Sequence, residues 1–278
     1  HRQDGTIATI LEVTVSPEDD AEVRRVSLSN LGTRVRDIDL TSYAELVLAP
    51  HAADFAHPAF SKLFVHTEVD EHTGALLATR RRRSPDEPEV WAAHVAVVEG
   101  EVIGDLELET DRARFLGRGR EIRTAIAVMD GHPLSGTVGA VLDPIFSLRR
   151  RVRLAPGATA RVAFWTLVAS SRAEVLDLID KHQEALAFDR AVTLAWTQAQ
   201  VQLHHLGITA GEAALFQRLA GHAIYAAPTL RPSSDTIRRG VGAQSGLWAL
   251  GVSGDLPIVL LRIADAETLD IARELLQA

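Results

Sequence analysis

The chain contains no cysteine among its 278 residues. This absence excludes disulfide bonds, thiolate nucleophiles, cysteine-ligated zinc and iron–sulfur clusters together. Long apolar runs are missing as well: the longest aliphatic stretch is residues 258–261, far below the ~18 consecutive residues that a membrane span requires. We therefore expect a soluble chain that makes no membrane contact of its own.

Positively charged residues are fewer than negatively charged ones. The sequence has 29 Lys and Arg against 37 Asp and Glu, a formal net charge of −8. Binding to nucleic acid needs a positive surface, so we expect no nucleic-acid partner. The apolar share of 46% is ordinary for a globular protein, and at roughly 150 residues per domain the length predicts one large domain or two small ones.

Both ends of the sequence lack the usual signals of a chain terminus. Residues His1 to Gly5 contain neither an initiator methionine nor an apolar signal core, and a strand pattern follows at once. Residues 267–278 form a helical pattern without a glycine or asparagine cap. We expect from these features that the sequence is a piece of a longer protein.

Alternation with a period of two dominates the first 169 residues. In residues 7–15 the odd-numbered side chains are apolar or β-branched, as in a half-buried strand. Similar alternation predicts strands at residues 22–30, 38–48, 63–70, 76–81, 90–98, 137–142, 145–154 and 160–169. Because no helical windows separate them, we predict a mainly β fold, an antiparallel sandwich, rather than an α/β sheet.

The period becomes helical after the capping residues Ser170 and Ser171. Helical windows follow at residues 172–186 and 189–206, and a third helix begins with a capping box at Thr209–Glu212 and runs to about Tyr225. Residues 226–264 are predicted to be irregular and glycine-rich, with a further helix from about Asp265. These patterns predict a β domain at 1–169, a helical linker at 170–227, and a glycine-rich segment with a first helix at 228–278.

One predicted strand carries potential metal ligands. His66, Glu68, Asp70 and His72 alternate along it and would share one face. Neighbours on that face lie about 6–7 Å apart, too far for all four to reach one ion. A solvated polar face is therefore the favoured interpretation, and a metal-dependent enzyme is kept as an alternative hypothesis.

A basic run at Arg80–Arg83 adjoins an acidic loop that ends at Glu89. Arginine forks suit phosphate or carboxylate, although the nearby acids favour a solvated charged turn. Because this hairpin joins charge, a turn and an aromatic residue, we predict it as the carbohydrate or interface contact, through Arg80, Arg82, Trp91 and His94. A tryptophan in a sandwich is more often part of the core than a sugar platform. No catalytic, cofactor-binding or metal-binding residue is assigned.

Several segments are similar to one protein family. They include ETDRARFLGRGR at residues 109–120 and VSGDLPI at residues 252–258, together with residues 16–25, 41–48 and 86–94. These segments resemble the phosphorylase-like part of bacterial cyclic β-1,2-glucan synthases, in glycoside hydrolase family 94, formerly glycosyltransferase family 36. The resemblance extends in order along essentially the whole chain. It implies an antiparallel β supersandwich whose N-terminal strands are missing, a helical linker, and the start of an (α/α)6 barrel that is itself missing.

The resemblance also implies a chemistry for the intact module. In this family an acid protonates the glycosidic oxygen while inorganic phosphate, the co-substrate, attacks from the opposite face, giving inverting phosphorolysis or glycosyl transfer. Because the family's catalytic residues lie in the barrel, none is carried over, and we expect no turnover by this chain alone and no cofactor. The resemblance implies a location on the cytoplasmic side of the bacterial inner membrane, within a larger membrane protein.

Two functional hypotheses follow from the resemblance. In the first, the chain is a carbohydrate-binding scaffold whose partners are β-1,2-glucan and the remaining domains of the parent chain. In the second, it is a purely structural dimerisation module with no sugar affinity, because family members pair through this sandwich and a homodimer would result.

Overall fold

The computed structural model describes residues 1–184, 186–225, 228–256, 258, 260 and 263–265. The chain divides into two compact units, His1–Thr197 and Gln198–Ala278. The helix predicted from about Asp265, including residues 267–278, lies outside the described residues.

The first unit contains the strands of the molecule's two antiparallel sheets. Their bounds are β1 (Arg2–Asp4), β2 (Ile7–Val15), β3 (Ala21–Asn30), β4 (Arg36–Thr41), β5 (Ala44–Glu45), β6 (Val65–Val69), β7 (Leu76–Arg80), β8 (Trp91–Glu99), β9 (Glu101–Asp111), β10 (Pro144–Leu154) and β11 (Thr159–Ala169). Seven strands form one sheet in the order β1-β2-β3-β11-β8-β7-β6. In the four-stranded sheet, β10 pairs with β4, β5 and β9. The prediction of a mainly β, antiparallel sandwich followed by helices is confirmed.

Helices follow the sandwich and also interrupt it. Their bounds are α1 (His51–Ala56), α2 (Pro58–Lys62), α3 (Arg112–Leu116), α4 (Ile126–Met129), α5 (Arg172–His182), α6 (Ala187–Leu206), α7 (Ala210–Ile224), α8 (Ser234–Arg239) and α9 (Ser245–Trp248), with 3-10 turns at Ile122–Thr124 and Pro228–Leu230. The first four helices contradict the expectation that no helix interrupts the strands. Each has only four to six residues, too few to show a helical period in the sequence.

Strand alternation sorts most buried apolar side chains of the first unit into two layers, and a third, smaller cluster surrounds Phe115. Phe146, Leu148 and Phe164 belong to the layer between the two sheets. Trp165 and Val95 belong to the layer on the other face of the large sheet, where residues of α5 and α6 cover it. Successive side chains of β8 and β11 therefore enter different cores, as period-two geometry requires.

Two strand predictions need correction, and the long strand β9 was missed. The strand predicted at residues 38–48 is interrupted at Ser42, whose hydroxyl accepts the N–H of Leu148 at 3.0 Å and so takes the place of a backbone carbonyl in the ladder. Residues 137–142 form no strand, only an isolated bridge between Thr67 and Gly139. Strand β9 was not predicted, because its register with β10 is irregular around Gly104 and the period of two is lost there.

Three helices were predicted after the sandwich, and all three are present; α6 begins at Ala187 instead of residue 189 and ends at Leu206 as predicted. Ser171 caps α5 by accepting the N–H of Glu174, as predicted, but the helix ends at His182 instead of residue 186. The capping box at Thr209 and Glu212 is confirmed, with both reciprocal hydrogen bonds formed. The segment predicted to be irregular contains α8 and α9, and the Ser233 side chain caps α8.

The second unit has no buried side chain among its described residues. Helix α7 carries apolar residues at helical spacing, yet none of them is buried. Within the described part of the chain, every helix is too short or too polar to cross a membrane.

Candidate functional site

The β7–β8 hairpin forms one wall of a cleft of about 410 Å³, which we call the hairpin cleft. The opposite wall is the segment that leads into α1. Apolar side chains from both walls line it: Leu48, Ala49, Pro50, Ala53, Pro88 and Val90. Leu48 has a φ of 47°, the left-handed region that a branched side chain seldom adopts, and it is the one such non-glycine among the described residues. The cleft offers an apolar surface of the size of a small ligand.

Arg80 lies at the end of β7 and supplies the most buried charge of the cleft. Its side chain is only 9% exposed, and its Nη1 lies 3.5 Å from Oε2 of Glu87. Its guanidinium carbon lies 5.4 Å from the centroid of the Phe64 ring. The Nε of Arg80 is buried and has no hydrogen-bond partner. The cleft therefore contains a cationic fork whose donors are underused.

Glu87 fixes the shape of the loop between the strands. One carboxylate oxygen accepts the backbone N–H of Arg83 at 2.8 Å, and the other accepts Nε of Arg83 at 3.2 Å. The backbone hydrogen bond from Arg83 and the charges of Arg83 and Arg80 lower the pKa of Glu87. Glu87 therefore stays ionised and is shared between two arginines.

Arg82 is exposed and lines the same cleft. Arg81 is also exposed, but its guanidinium carbon lies 5.5 Å from the Phe64 centroid and it does not line the cleft. Arg80, Arg82 and Arg83 therefore line the cleft, and Arg81 does not. Substitution of Arg81 can serve as the control for substitution of the other arginines.

Trp91 does not line the hairpin cleft. It begins β8, is half-buried, and packs against the helix-covered core of the large sheet. Its indole N–H donates to Oε1 of Glu89 at 2.7 Å. Trp91 therefore lies at the edge of the core, which is the role that the sequence analysis set against a sugar-binding one.

His94 lies three residues further along β8 and so faces the other side of the sheet. It is buried, with Nε2 2.8 Å from Oγ of Ser42 and Nδ1 3.1 Å from Oγ1 of Thr166. Its ring stacks between Phe146 and Phe164. Burial lowers the pKa of His94 to about 4, so the imidazole is neutral near pH 7. His94 lines a separate groove of about 510 Å³ between the sheets.

Two of the four side chains considered from the sequence as metal ligands have other partners. Glu68 accepts Nε of Arg172 at 2.8 Å. Asp70 accepts the hydroxyl and the backbone N–H of Thr73, and the hydroxyl bond is the larger cause of its lowered pKa. Among the described residues no three side chains of His, Asp or Glu form a metal-binding group.

Of the four residues predicted as the contact, the structure brings together Arg80 and Arg82 and separates them from Trp91 and His94. The sequence interpretation missed Glu87 as the organiser of the loop and missed the wall at residues 48–53. The charge run contained Glu87, but its pairing depends on the loop geometry. No local pattern connects residues 48–53 with a hairpin about thirty residues later.

Comparisons with known proteins give a family. The family model of the glycosyl hydrolase 94 supersandwich domain matches residues 1–185. Cyclic beta-(1,2)-glucan synthase NdvB of Rhizobium meliloti (strain 1021) is 45% identical over 274 residues, which is 99% of this chain. The chain spans only 10% of that relative's length. A solved polysaccharide lyase has a TM-score of 0.36 and 14% identity over 64% of this chain and 22% of its own, a similarity too low to carry an argument.

Proposed function

The chain belongs to the glycosyl hydrolase 94 supersandwich family, and from this premise we propose that it is the carbohydrate-binding scaffold of a cyclic β-1,2-glucan synthase. The identity to NdvB along nearly the whole chain supports this proposal. The glucan and the remaining domains of the parent protein are its proposed partners. In this proposal the intact module acts on β-1,2-glucan by inverting phosphorolysis or glycosyl transfer, with inorganic phosphate as co-substrate, at the cytoplasmic side of the inner membrane.

The observation that carries the binding role is the hairpin cleft. Sugars present C–H faces to apolar side chains and hydroxyl groups to charged donors, and the cleft combines an apolar wall with the guanidinium groups of Arg80 and Arg82. The antiparallel sandwich holds the cleft in place through the register of β7 with β8. No step of turnover is assigned to residues of this chain, whose role is to hold and present glucan.

Calorimetric titration with β-1,2-linked gluco-oligosaccharides tests this role, with β-1,4-linked oligosaccharides as the linkage control. We expect selective binding of the β-1,2 series. The substitution Arg82→Ala should weaken it about fivefold, because one hydrogen bond is worth about 1 kcal/mol. Arg81→Ala should leave it unchanged. Absence of binding, or equal loss in both variants, would contradict the proposal.

A second candidate function is a purely structural dimerisation module. The supporting observation is an apolar stripe on one face of β2, formed by the exposed side chains of Leu11, Val13 and Val15. Exposed apolar stripes on a sheet promote association. Sedimentation at micromolar concentration should then show a dimer that Val13→Lys converts to a monomer, whereas a wild-type monomer would reject this function.

A further inference from the structure

One nitrogen of the Arg80 guanidinium, Nε, is buried without a hydrogen-bond partner. Buried charged groups are normally paired and hydrogen-bonded, because transfer from water is unfavourable otherwise. Within the described part of the chain, Arg80 has one ion-pair contact, at 3.5 Å to Glu87, and its Nε has no partner. An arginine offers five N–H donors in a fixed fork. The buried Nε thus lies without a partner beside a cleft that is large enough for a ligand.

The charges around the cleft favour an anion. Arg80, Arg82 and Arg83 line it, and Glu87 is the single carboxylate in its lining. Glu87 is already engaged by the backbone N–H and Nε of Arg83. The lining thus contains three arginines and one carboxylate, and that carboxylate is shared between Arg80 and Arg83.

The guanidinium of Arg80 is suited to a planar or tetrahedral oxyanion. Arginine binds carboxylate and phosphate through two parallel N–H···O bonds, which a neutral hydroxyl cannot match in strength. The Phe64 ring lies 5.4 Å from the guanidinium carbon, within cation–π distance. Beside the fork, the side chains of Leu48, Pro50 and Val90 provide an apolar surface.

We propose that the hairpin cleft binds a small oxyanion, a phosphate monoester or a carboxylate, that carries an apolar substituent. Arg80 is the primary ligand-binding residue, and Arg82 adds charge at the rim. The apolar substituent packs against the wall formed by the segment before α1. The inference uses the same cleft as the proposed function, but it does not require that the cleft bind glucan.

Titration calorimetry on the whole 278-residue chain tests the inference with four probes: phenyl phosphate, inorganic phosphate, benzoate and the neutral phenyl β-glucoside. We expect phenyl phosphate and benzoate to bind, inorganic phosphate to bind more weakly because it lacks the apolar part, and the glucoside to bind least. Raising the salt concentration should weaken the anions selectively. Binding of phenyl phosphate no tighter than that of the neutral glucoside would overturn the inference.

Two matched variants separate a ligand-binding role from a structural one. Arg80→Met keeps the aliphatic stem and should weaken phenyl phosphate at least tenfold, without lowering the melting temperature. Arg81→Met changes a neighbour outside the cleft and should alter neither. Undiminished anion binding by Arg80→Met would show that the Arg80 guanidinium does not bind the anion. If β-1,2-glucan binds and no anion does, the inference fails and the proposed function stands. If the anions bind and β-1,2-glucan does not, the proposed function fails and the inference stands.

Discussion

The two units of this chain differ in how their apolar residues are used. In His1–Thr197, alternating strands place large side chains such as Trp165 and Phe146 in two closed cores. In the described residues of the second unit, no apolar side chain is buried, and many are exposed, among them Val241 at 92% and Tyr225 at 82%. The comparison shows that a helical period and correct caps are enough to form helices, but that a core requires partners from distant parts of the sequence.

The second unit therefore depends on local interactions. Helix α7 has a complete capping box, and Glu212 accepts the N–H and hydroxyl of Thr209. Short helices without tertiary packing are only marginally stable in water. We expect the sandwich to unfold cooperatively and the second unit to open at much smaller free-energy cost.

The largest expected effect compares two tryptophans. Trp165 is 1% exposed and Trp248 is 64% exposed. Trp165→Ala should lower the free energy of unfolding by about 3–5 kcal/mol, because it leaves a cavity in the core. Trp248→Ala should change it by less than about 0.5 kcal/mol. Urea denaturation followed by circular dichroism measures both values, and similar losses would break the contrast between the units.

The next effect compares two arginines on β10. Arg149 is buried and donates to Oε2 of Glu107 at 3.0 Å, to the carbonyl of His132 at 2.9 Å, and to the carbonyl of Ala127. Arg151 lies on the same face of β10, where it pairs with Asp39, but its side chain is 48% exposed. Arg149→Met should lower the free energy of unfolding by about 3 kcal/mol, because two carbonyls lose this donor and Glu107 loses its ion pair, keeping the N–H of Leu134. Arg151→Met should lower it by at most about 1 kcal/mol.

Limited proteolysis, beside urea denaturation, tests the same two variants, Arg149→Met and Arg151→Met. Arg149 holds the segment between β9 and β10 through the carbonyls of Ala127 and His132. Cleavage within residues 112–143 should therefore accelerate in Arg149→Met and not in Arg151→Met. Equal cleavage rates would show that the segment is held by other contacts.

A smaller effect concerns pH and the buried His94. Desolvation lowers its folded-state pKa to about 4, whereas an unfolded histidine titrates near about 6.5. Between these values the unfolded chain binds a proton that the folded chain does not. Stability from this group should therefore fall as the pH drops from about 6.5 to about 4, by up to about 1.4 kcal/mol per pH unit.

The variant His94→Gln isolates this contribution. Its free energy of unfolding should be lower overall but should depend less steeply on pH in that window. Some dependence should remain, because burial also lowers the pKa of His182 despite its contact with Asp19. An unchanged slope in His94→Gln would contradict the assignment.

The smallest effect belongs to the second unit. Thr209→Ala removes the N-cap of α7 and should destabilise that helix by about 1 kcal/mol, which is about a fivefold faster amide exchange. Glu212→Gln keeps a capping-box side chain and should have less effect. Because the unit has no buried described residue, the global unfolding of the sandwich should not change. A shift in global unfolding would show that α7 contributes to a shared core.

The sequence predicted those elements whose signals are local and regular. Strand β2 follows from its alternation, β8 and β11 follow from short apolar runs, and the start of α7 follows from its capping box. Strand β9 was missed because the irregular register around Gly104 interrupts the alternation. The segment at 137–142 alternates but forms no ladder, since Thr67 engages it through a single bridge.

The candidate site shows the same limit. The arginine run marked the hairpin, and Arg80 and Arg82 do meet in one cleft. The grouping with Trp91 and His94 did not hold, because a spacing of three on one strand sends the two side chains to opposite faces. The wall at residues 48–53 and the burial of Arg80 arise from tertiary contacts that no local pattern encodes.

The most direct test of the contrast between the units is native-state hydrogen exchange on the 278-residue chain. We predict that amides in the centres of β3, β8 and β11 exchange only through global unfolding, and that described amides beyond residue 198 exchange through local opening, orders of magnitude faster. Equal protection in both units would contradict the claim that, among the residues the structure describes, only the sandwich has a closed core.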